Sequence, residues 1–213
     1  MYLPPHFEET RPEVLLQIIR SYPLGTLVTL GSQGLMANHV PFEYDPSTPA
    51  PGTLRCHVAR ANPVWKDFDT NTQALVIFAG PNAYISPSWY EAKREHGKVV
   101  PTYNYVVVHA HGAMRIIEDS QWLHGLVSRL TDSFESKRTQ PWSVSDAPPD
   151  YIEKQLGAIV GIEIAIERLI GKSKASQNRS EGDQVGVIRG LRESNEQNAM
   201  AMWMDSNLRD KKK

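Results

Sequence analysis

Three stretches of this chain hold residue types that suit ligand chemistry. The first runs from Gly80 to Gly112 and reads GPNAYISPSWYEAKREHGKVVPTYNYVVVHAHG. It sets Ser86, Ser88, Trp89, Tyr103 and Asn104 on a backbone constrained by prolines. Flat rings beside hydroxyl and amide groups suit a flat ligand with polar edges. Protein interfaces use the same residues, so an interface patch stays open as the other reading. The second stretch is His57-Val-Ala-Arg60-Ala-Asn62-Pro63. A strand pattern ends, an arginine follows, and Asn-Pro opens a helix. A helix start carries free N–H groups that attract phosphate, and Arg60 adds a planar donor fork. The alternative is that Asn62 caps the helix and Arg60 is solvated. The third stretch, Lys174-Ala-Ser-Gln177-Asn178-Arg179, joins two cations, a hydroxyl and two amides without a carboxylate. It suits phosphate or a polar ring edge, or else a plain exposed loop in which Glu181 and Asp183 take the cations.

Other signals are weaker. His109 and His111 are two apart in a strand pattern and share a face, but no third ligand at metal spacing accompanies them. No metal is expected, and the pair suits a pocket wall. The chain has no GxSxG, no P-loop and no GxGxxG after a strand. No carboxylate pair stands out, so no catalytic residue is assigned.

These groups must be carried by a set of strands and short helices. Thr10-Arg-Pro-Glu13 is a capping-box pattern opening a helix to Tyr22. GTLVTLG and GLMANHVPFEY read as a hairpin over Gly-Ser-Gln-Gly. TLRCHVAR, QALVIFAG and VVVHAHGAMRII read as further strands, with a short helix PVWKDF after the first. Ser120 to Glu135 has helical spacing with Asp119 or Ser120 as cap, and Asp150 to Gly157 adds a turn or two. IVGIEIAIERLIG alternates as a half-buried strand. Asp45 to Gly52, Thr139 to Pro149 and Lys172 to Asp183 read as polar loops, and Asn195 to Leu208 as a tail helix. The pattern is mainly β with helices (α+β), and residues 1–213 read as one domain, suggesting a small, nearly closed barrel.

Composition narrows the function. The chain has 213 residues, 40% of them hydrophobic, and a net charge of −1. That balance argues against a basic DNA-binding surface; the concentrated positive charge is the terminal KKK and the Lys172, Lys174, Arg179 group. The single cysteine, Cys56, fits a reducing compartment and reads as a buried structural thiol. No apolar run is long enough for a membrane span and no signal pattern opens the chain, so a cytoplasmic protein is expected.

GPNAYISPSWY, VPTYNY with VVVHAHG, KASQNR and GVIRGL, together with the opening MYLPPHF, resemble the PaiB-type FMN-binding negative transcriptional regulators. The matches lie in order along nearly the whole chain. The resemblance implies an FMN-binding split β-barrel, related to flavin reductases and pyridoxamine-phosphate oxidases, with FMN at a homodimer interface. It makes His57, Arg60, Asn62, Ser86, Ser88, Trp89, Tyr103, Asn104, Lys174, Gln177, Asn178 and Arg179 cofactor-binding candidates. Tyr103 replaces the family's usual Trp, a smaller flat wall. The family label implies a transcriptional regulator; the alternative is a flavin-dependent oxidoreductase that does not touch DNA.

Overall fold

The alternation in the two hairpin segments folds as the pattern predicts, and Gly34 shows why the turn needs glycine: its φ is +101°, a region closed to most side chains. A computed structural model describes residues 1–48, 51–194 and 198–210. The terminal KKK, the first residues of the expected tail helix (195–197) and residues 49 and 50 of the expected loop lie outside the described residues. In chain order the elements are β1 (Glu8–Glu9), α1 (Pro12–Ser21), β2 (Leu24–Gly31), β3 (Gly34–Pro41), β4 (Glu43–Asp45), β5 (Thr53–Ala59), β6 (Ala74–Ile85), α2 (Ala92–Glu95), β7 (Thr102–Ile117), α3 (Ser120–Glu135), α4 (Pro149–Gly157), β8 (Ile159–Lys174), α5 (Glu181–Glu193) and α6 (Asn198–Asp210). Strands hydrogen-bond in the order β3-β2-β6-β7-β8-β5-β4, with β1 on β8. The chain divides into two compact units: Met1–Ile18, Ala79–Val108 and Ile170–Lys213 form the first, and Ile19–Phe78 with His109–Leu169 the second.

In the second unit, β2 pairs antiparallel with β3 and β6, and β5 with β8. One face of these strands supplies the core: Leu27, Leu54, Cys56, Val76, Phe78 and Ile162 are buried. Burial pushes the Cys56 thiol pKa up, so it is an inert core group. Asp119 accepts from Trp122 N at 2.6 Å and caps α3, as its position predicts. The expected helix PVWKDF is only a three-residue 3-10 turn, Pro63–Trp65.

Arg55 and Glu163 face each other across the β5–β8 ladder. Arg55 Nε donates to Glu163 at 2.8 Å, its Nη1 reaches Asp45 at 2.6 Å, and Arg115 Nη2 donates to Glu163 at 2.6 Å. Burial alone raises the Glu163 pKa; hydrogen bonds and charge from the two arginines more than reverse it, leaving the carboxyl below its ordinary 4.5. A depressed folded-state pKa gives stability present above the unfolded value and lost as pH falls through the folded one. Thermal unfolding across this range is therefore expected to show a steeper acid loss for the wild type than for Glu163→Gln. Equal slopes would remove the ion pairs from the acid response.

The first unit departs most from the sequence pattern. β6 and β7 extend through PNAYI and back to Thr102, beyond the strand patterns QALVIFAG and VVVHAHGAMRII. Two successive buried residues, Gly80 and Pro81, mark a phase slip in β6, which is where a strand tolerates proline. β8 continues through Lys174, and Lys172, Ser173, Ser176, Asp183 and Gln184 are buried. The polar stretch reads as loop, yet it is buried because its polar groups find partners inside. Lys172 Nζ donates to Tyr2 O at 3.1 Å and lies 5.2 Å from the Tyr105 ring centre. Trp203 Nε1 donates to Ser173 Oγ at 2.9 Å, and Ala92 N donates to Asp183 at 3.0 Å.

Helix α5 was not anticipated. Gly182, Gly186 and Gly190 recur every four residues along one side, and three glycines weaken a helix pattern. They are there for close approach. A Cβ on Gly186 would sit 2.2 Å from Trp89 O, and one on Gly190 2.4 Å from the Trp89 ring.

Candidate functional site

The SPSWY segment enters the first unit through a 3-10 turn at Pro87–Trp89. Ser86 caps it, its Oγ accepting from Ser88 N at 3.2 Å, and Lys93 Nζ donates to Ser88 Oγ at 3.0 Å. The turn lays Trp89 on the glycine side of α5 and buries Tyr90 to 1% exposure. Of the aromatic residues in this stretch, Tyr90 is covered by the chain itself, Trp89 is partly covered, and Tyr103 stays half exposed with its hydroxyl 3.5 Å from Asn82 Oδ1.

Tyr90 lines a cavity of about 60 Å³ together with Phe7, Thr102, Asn104, Lys174, Ser176, Asn178 and Arg179. Three separate sequence motifs meet there: SPSWY, VPTYNY and KASQNR. Asn104 is fully buried and exchanges hydrogen bonds with Ser176 Oγ at 2.9 and 3.3 Å. Lys174 Nζ donates to Thr102 Oγ1 at 2.5 Å. The Arg179 guanidinium lies 5.0 Å from the Tyr90 ring centre; among the described residues, neither cation forms an ion pair. Ser176 holds φ +58°, rare for a residue with a side chain. Gln177 fixes that turn: its Oε1 accepts from Ala175 N at 2.7 Å and its amide donates to Ser173 O.

The Tyr90 hydroxyl is the unusual group. It is buried, and it lies near Ser176 and Arg179 without a hydrogen bond of good geometry to either. Burial raises its pKa, and Arg179 and Ser176 partly offset that. The hydroxyl is a neutral donor at physiological pH, set beside two cations.

Of the candidates, the structure therefore gathers Asn104, Lys174, Asn178 and Arg179 round one cavity. Gln177 shapes its rim. Ser88 and Trp89 line a different, larger groove of about 720 Å³ against α5. Tyr90, Thr102 and Ser176 belong to the cavity and were not singled out, although each lies inside a quoted motif. The signal they gave was a hydroxyl within a polar run, too common to select on.

His57, Arg60 and Asn62 lie in the second unit. Asn62 Oδ1 accepts from Val64 N at 3.0 Å, which is the cap its position predicts. Arg60 is committed to its own chain: Nε to Gly157 O at 3.0 Å, Nη1 to Glu118 at 2.6 Å and Nη2 to Ile159 O at 3.2 Å. With a 3-10 turn in place of a helix, the argument for phosphate at Arg60 loses both supports. Among the described residues His57 Nδ1 is buried without a partner, and burial lowers that imidazole's pKa. His109 and His111 share a face with ring centres 6.4 Å apart. Burial lowers both pKa values. Among the described residues no group of three His, Cys, Asp or Glu is placed to hold a metal.

Residues 1–168 match the family model described as "Putative FMN-binding domain". The chain is 37% identical over 226 residues to an uncharacterized protein of Emericella nidulans, covering 90% of each. It is 34% identical over 213 residues to the protease synthase and sporulation protein PAI 2 of Bacillus subtilis, covering 100% of this chain and 99% of that one. Among solved structures, the flavocytochrome Anf3 of Azotobacter vinelandii superposes with a TM-score of 0.56 at 12% identity, covering 78% of this chain and 69% of that one. The FAD and heme binding protein of Mycobacterium smegmatis gives 0.53 at 16% identity, covering 78% and 73%. These structural likenesses show the fold, a split β-barrel with added helices.

Proposed function

The chain belongs to this FMN-binding domain family, and from that premise we propose that it binds FMN through the polar cavity of its first unit. The observation that carries the reading is the cavity's donor set. Lys174 and Arg179 are cations without a carboxylate, and the Tyr90 hydroxyl is buried without a good partner. Such a set fits the acceptor oxygens of a phosphorylated flavin. Asn104 and Gln177 hold the walls, and Asn178 offers an amide at the mouth. The flavin, when bound, supplies the redox chemistry, and the protein binds and orients it.

The second part of the reading is a homodimer. Leu30 and Leu35 are opposite each other in the β2–β3 ladder, with Leu24 on the same face. Their exposures are 38%, 80% and 62%, an unusual apolar run for a free sheet surface. A second copy of the chain fits it, and Leu35→Glu is expected to convert the dimer to a monomer in sedimentation. A wild-type monomer that binds flavin would end the shared-interface picture.

Titration by flavin fluorescence tests the cofactor. FMN is expected to bind more tightly than riboflavin or FAD; equal affinity for FMN and riboflavin would remove the role of the phosphate. Transcriptional regulation and flavin-dependent oxidoreduction are the two roles open to such a binder. Salt-sensitive, sequence-selective DNA binding would support the first, and flavin-dependent oxidation of a reduced nicotinamide the second.

A further inference from the structure

We propose that the groove between the SPSWY segment and α5 is a binding site for a short peptide with free ends, held by its ammonium, its carboxylate and an apolar side chain. Its charged groups are not those of the flavin cavity, so it does not depend on the flavin reading. Among the described residues, Tyr90 alone lines both spaces.

Size and shape are the first argument. The groove measures about 720 Å³, within the roughly 300–1,000 Å³ of sites that take whole organic ligands. Both walls belong to the first unit: residues 88–94 on one side and one side of α5 on the other. Along α5 the lining recurs at every turn from Gly182 to Glu193, roughly 16 Å of helix at 1.5 Å per residue. An extended peptide of three or four residues, at about 3.3–3.6 Å each, has that length scale; a single amino acid does not.

The second argument is a rigid apolar wall. A Cβ on Gly190 would sit 2.4 Å from the Trp89 ring, so the indole lies directly on α5. It is nonetheless partly exposed and lines the groove, as does Val185, which is 50% exposed. An aromatic wall already fixed in place receives an apolar side chain at little ordering cost.

Charge is the third argument, and it selects the ligand. Arg189 and Glu193 stand one turn apart on α5, and Glu91 and Arg94 are three apart at the start of α2. All four line the groove, at spacings that let opposite charges pair. Among the described residues none of the four forms an ion pair. The neighbouring Arg192, by contrast, pairs with Asp205 at 2.9 Å. Glu181 adds a third carboxylate to the lining. An anion alone would face these carboxylates, and a cation alone the guanidiniums. A ligand bearing both signs meets both: the guanidinium forks suit its carboxylate, and Glu91 and Glu193 accept from its ammonium.

The test is isothermal titration of the protein with the tripeptide alanyl-phenylalanyl-alanine in its free, N-acetylated and C-amidated forms. The free peptide is expected to bind saturably. Blocking either end should weaken it about ten-fold or more, the scale of one hydrogen bond to a charged group. Arg94→Met with Arg189→Met in one chain should weaken the free peptide by a similar factor. The same double variant should bind the amidated peptide as the wild type does, because the carboxylate those arginines hold is already gone. Circular dichroism and melting temperature check that the variant is folded; if it is not, the three peptide forms on the wild type still decide. No saturable binding of the free peptide overturns the site. So do equal affinities for the three forms, or a folded double variant that binds the free peptide as tightly as the wild type. Free phenylalanine binding as tightly as the tripeptide would overturn the peptide as the ligand.

Discussion

Arg179→Ala is expected to weaken FMN binding by about 10- to 100-fold, the loss of a hydrogen bond to a charged group, about 1.5–3 kcal/mol. The guanidinium lines the cavity and lies over the Tyr90 ring at 5.0 Å. Among the described residues it forms no ion pair, and its side chain lines the cavity where a ligand would sit. Stability should change little. What the fold loses is a cation–π contact worth about 0.5–1 kcal/mol at a partly exposed site. Arg179→Lys is the control: it keeps the charge and loses the planar fork, and should recover part of the affinity. Unchanged FMN affinity with a lowered melting temperature would make Arg179 a packing residue for Tyr90.

The second large effect concerns the α5 glycines. Gly186→Ala is expected to destabilise the protein by about 3 kcal/mol, the upper range for overpacking a tight contact. In a chain of this size that corresponds to a melting shift of roughly 6–12 °C. A Cβ there would meet the backbone oxygen of Trp89 at 2.2 Å, and a carbonyl in a capped turn has nowhere to move. Gly182→Ala supplies the contrast. Its Cβ would meet Glu91 Oε2 at 1.9 Å, but that is the tip of an exposed, flexible side chain. There the carboxylate swings aside, and alanine gains up to about 1 kcal/mol of helix propensity. Thermal melts of the two variants should move in opposite directions, or at least differ by several degrees. Equal shifts would mean that Trp89 does not seat against α5 as described.

What the sequence made legible was local. The β2–β3 hairpin, the α3 cap at Asp119 and the Asn62 cap depend on neighbours in the chain, and each lies where its pattern puts it. The family motifs also carried the fold class. What stayed hidden depends on distant partners. Lys172 and Ser173 read as loop because a polar run predicts exposure, and only Tyr2, Tyr105 and Trp203 make them buried. Helix α5 was missed because glycine argues against helix, although glycine at every fourth position is also the mark of a close-packed helix face. Arg60 looked free because Glu118, Gly157 and Ile159 are remote in sequence. Of the cavity's lining, the motifs had singled out Asn104, Lys174, Asn178 and Arg179. Tyr90, Thr102 and Ser176 emerged only when three segments met.

The division of the chain into interleaved segments sets an order of events during synthesis. The second unit draws its residues from no further along the chain than Leu169. The first unit draws on later segments: Tyr90 and Asn104 are translated before the residues that complete their cavity, Lys174 to Arg179, and before the helix that seats Trp89. Until then Trp89 and Tyr90 lack part of their cover. A nascent chain stalled before Ile170 would present these rings to chaperones, and ligand binding would report that Lys174 to Arg179 had been made.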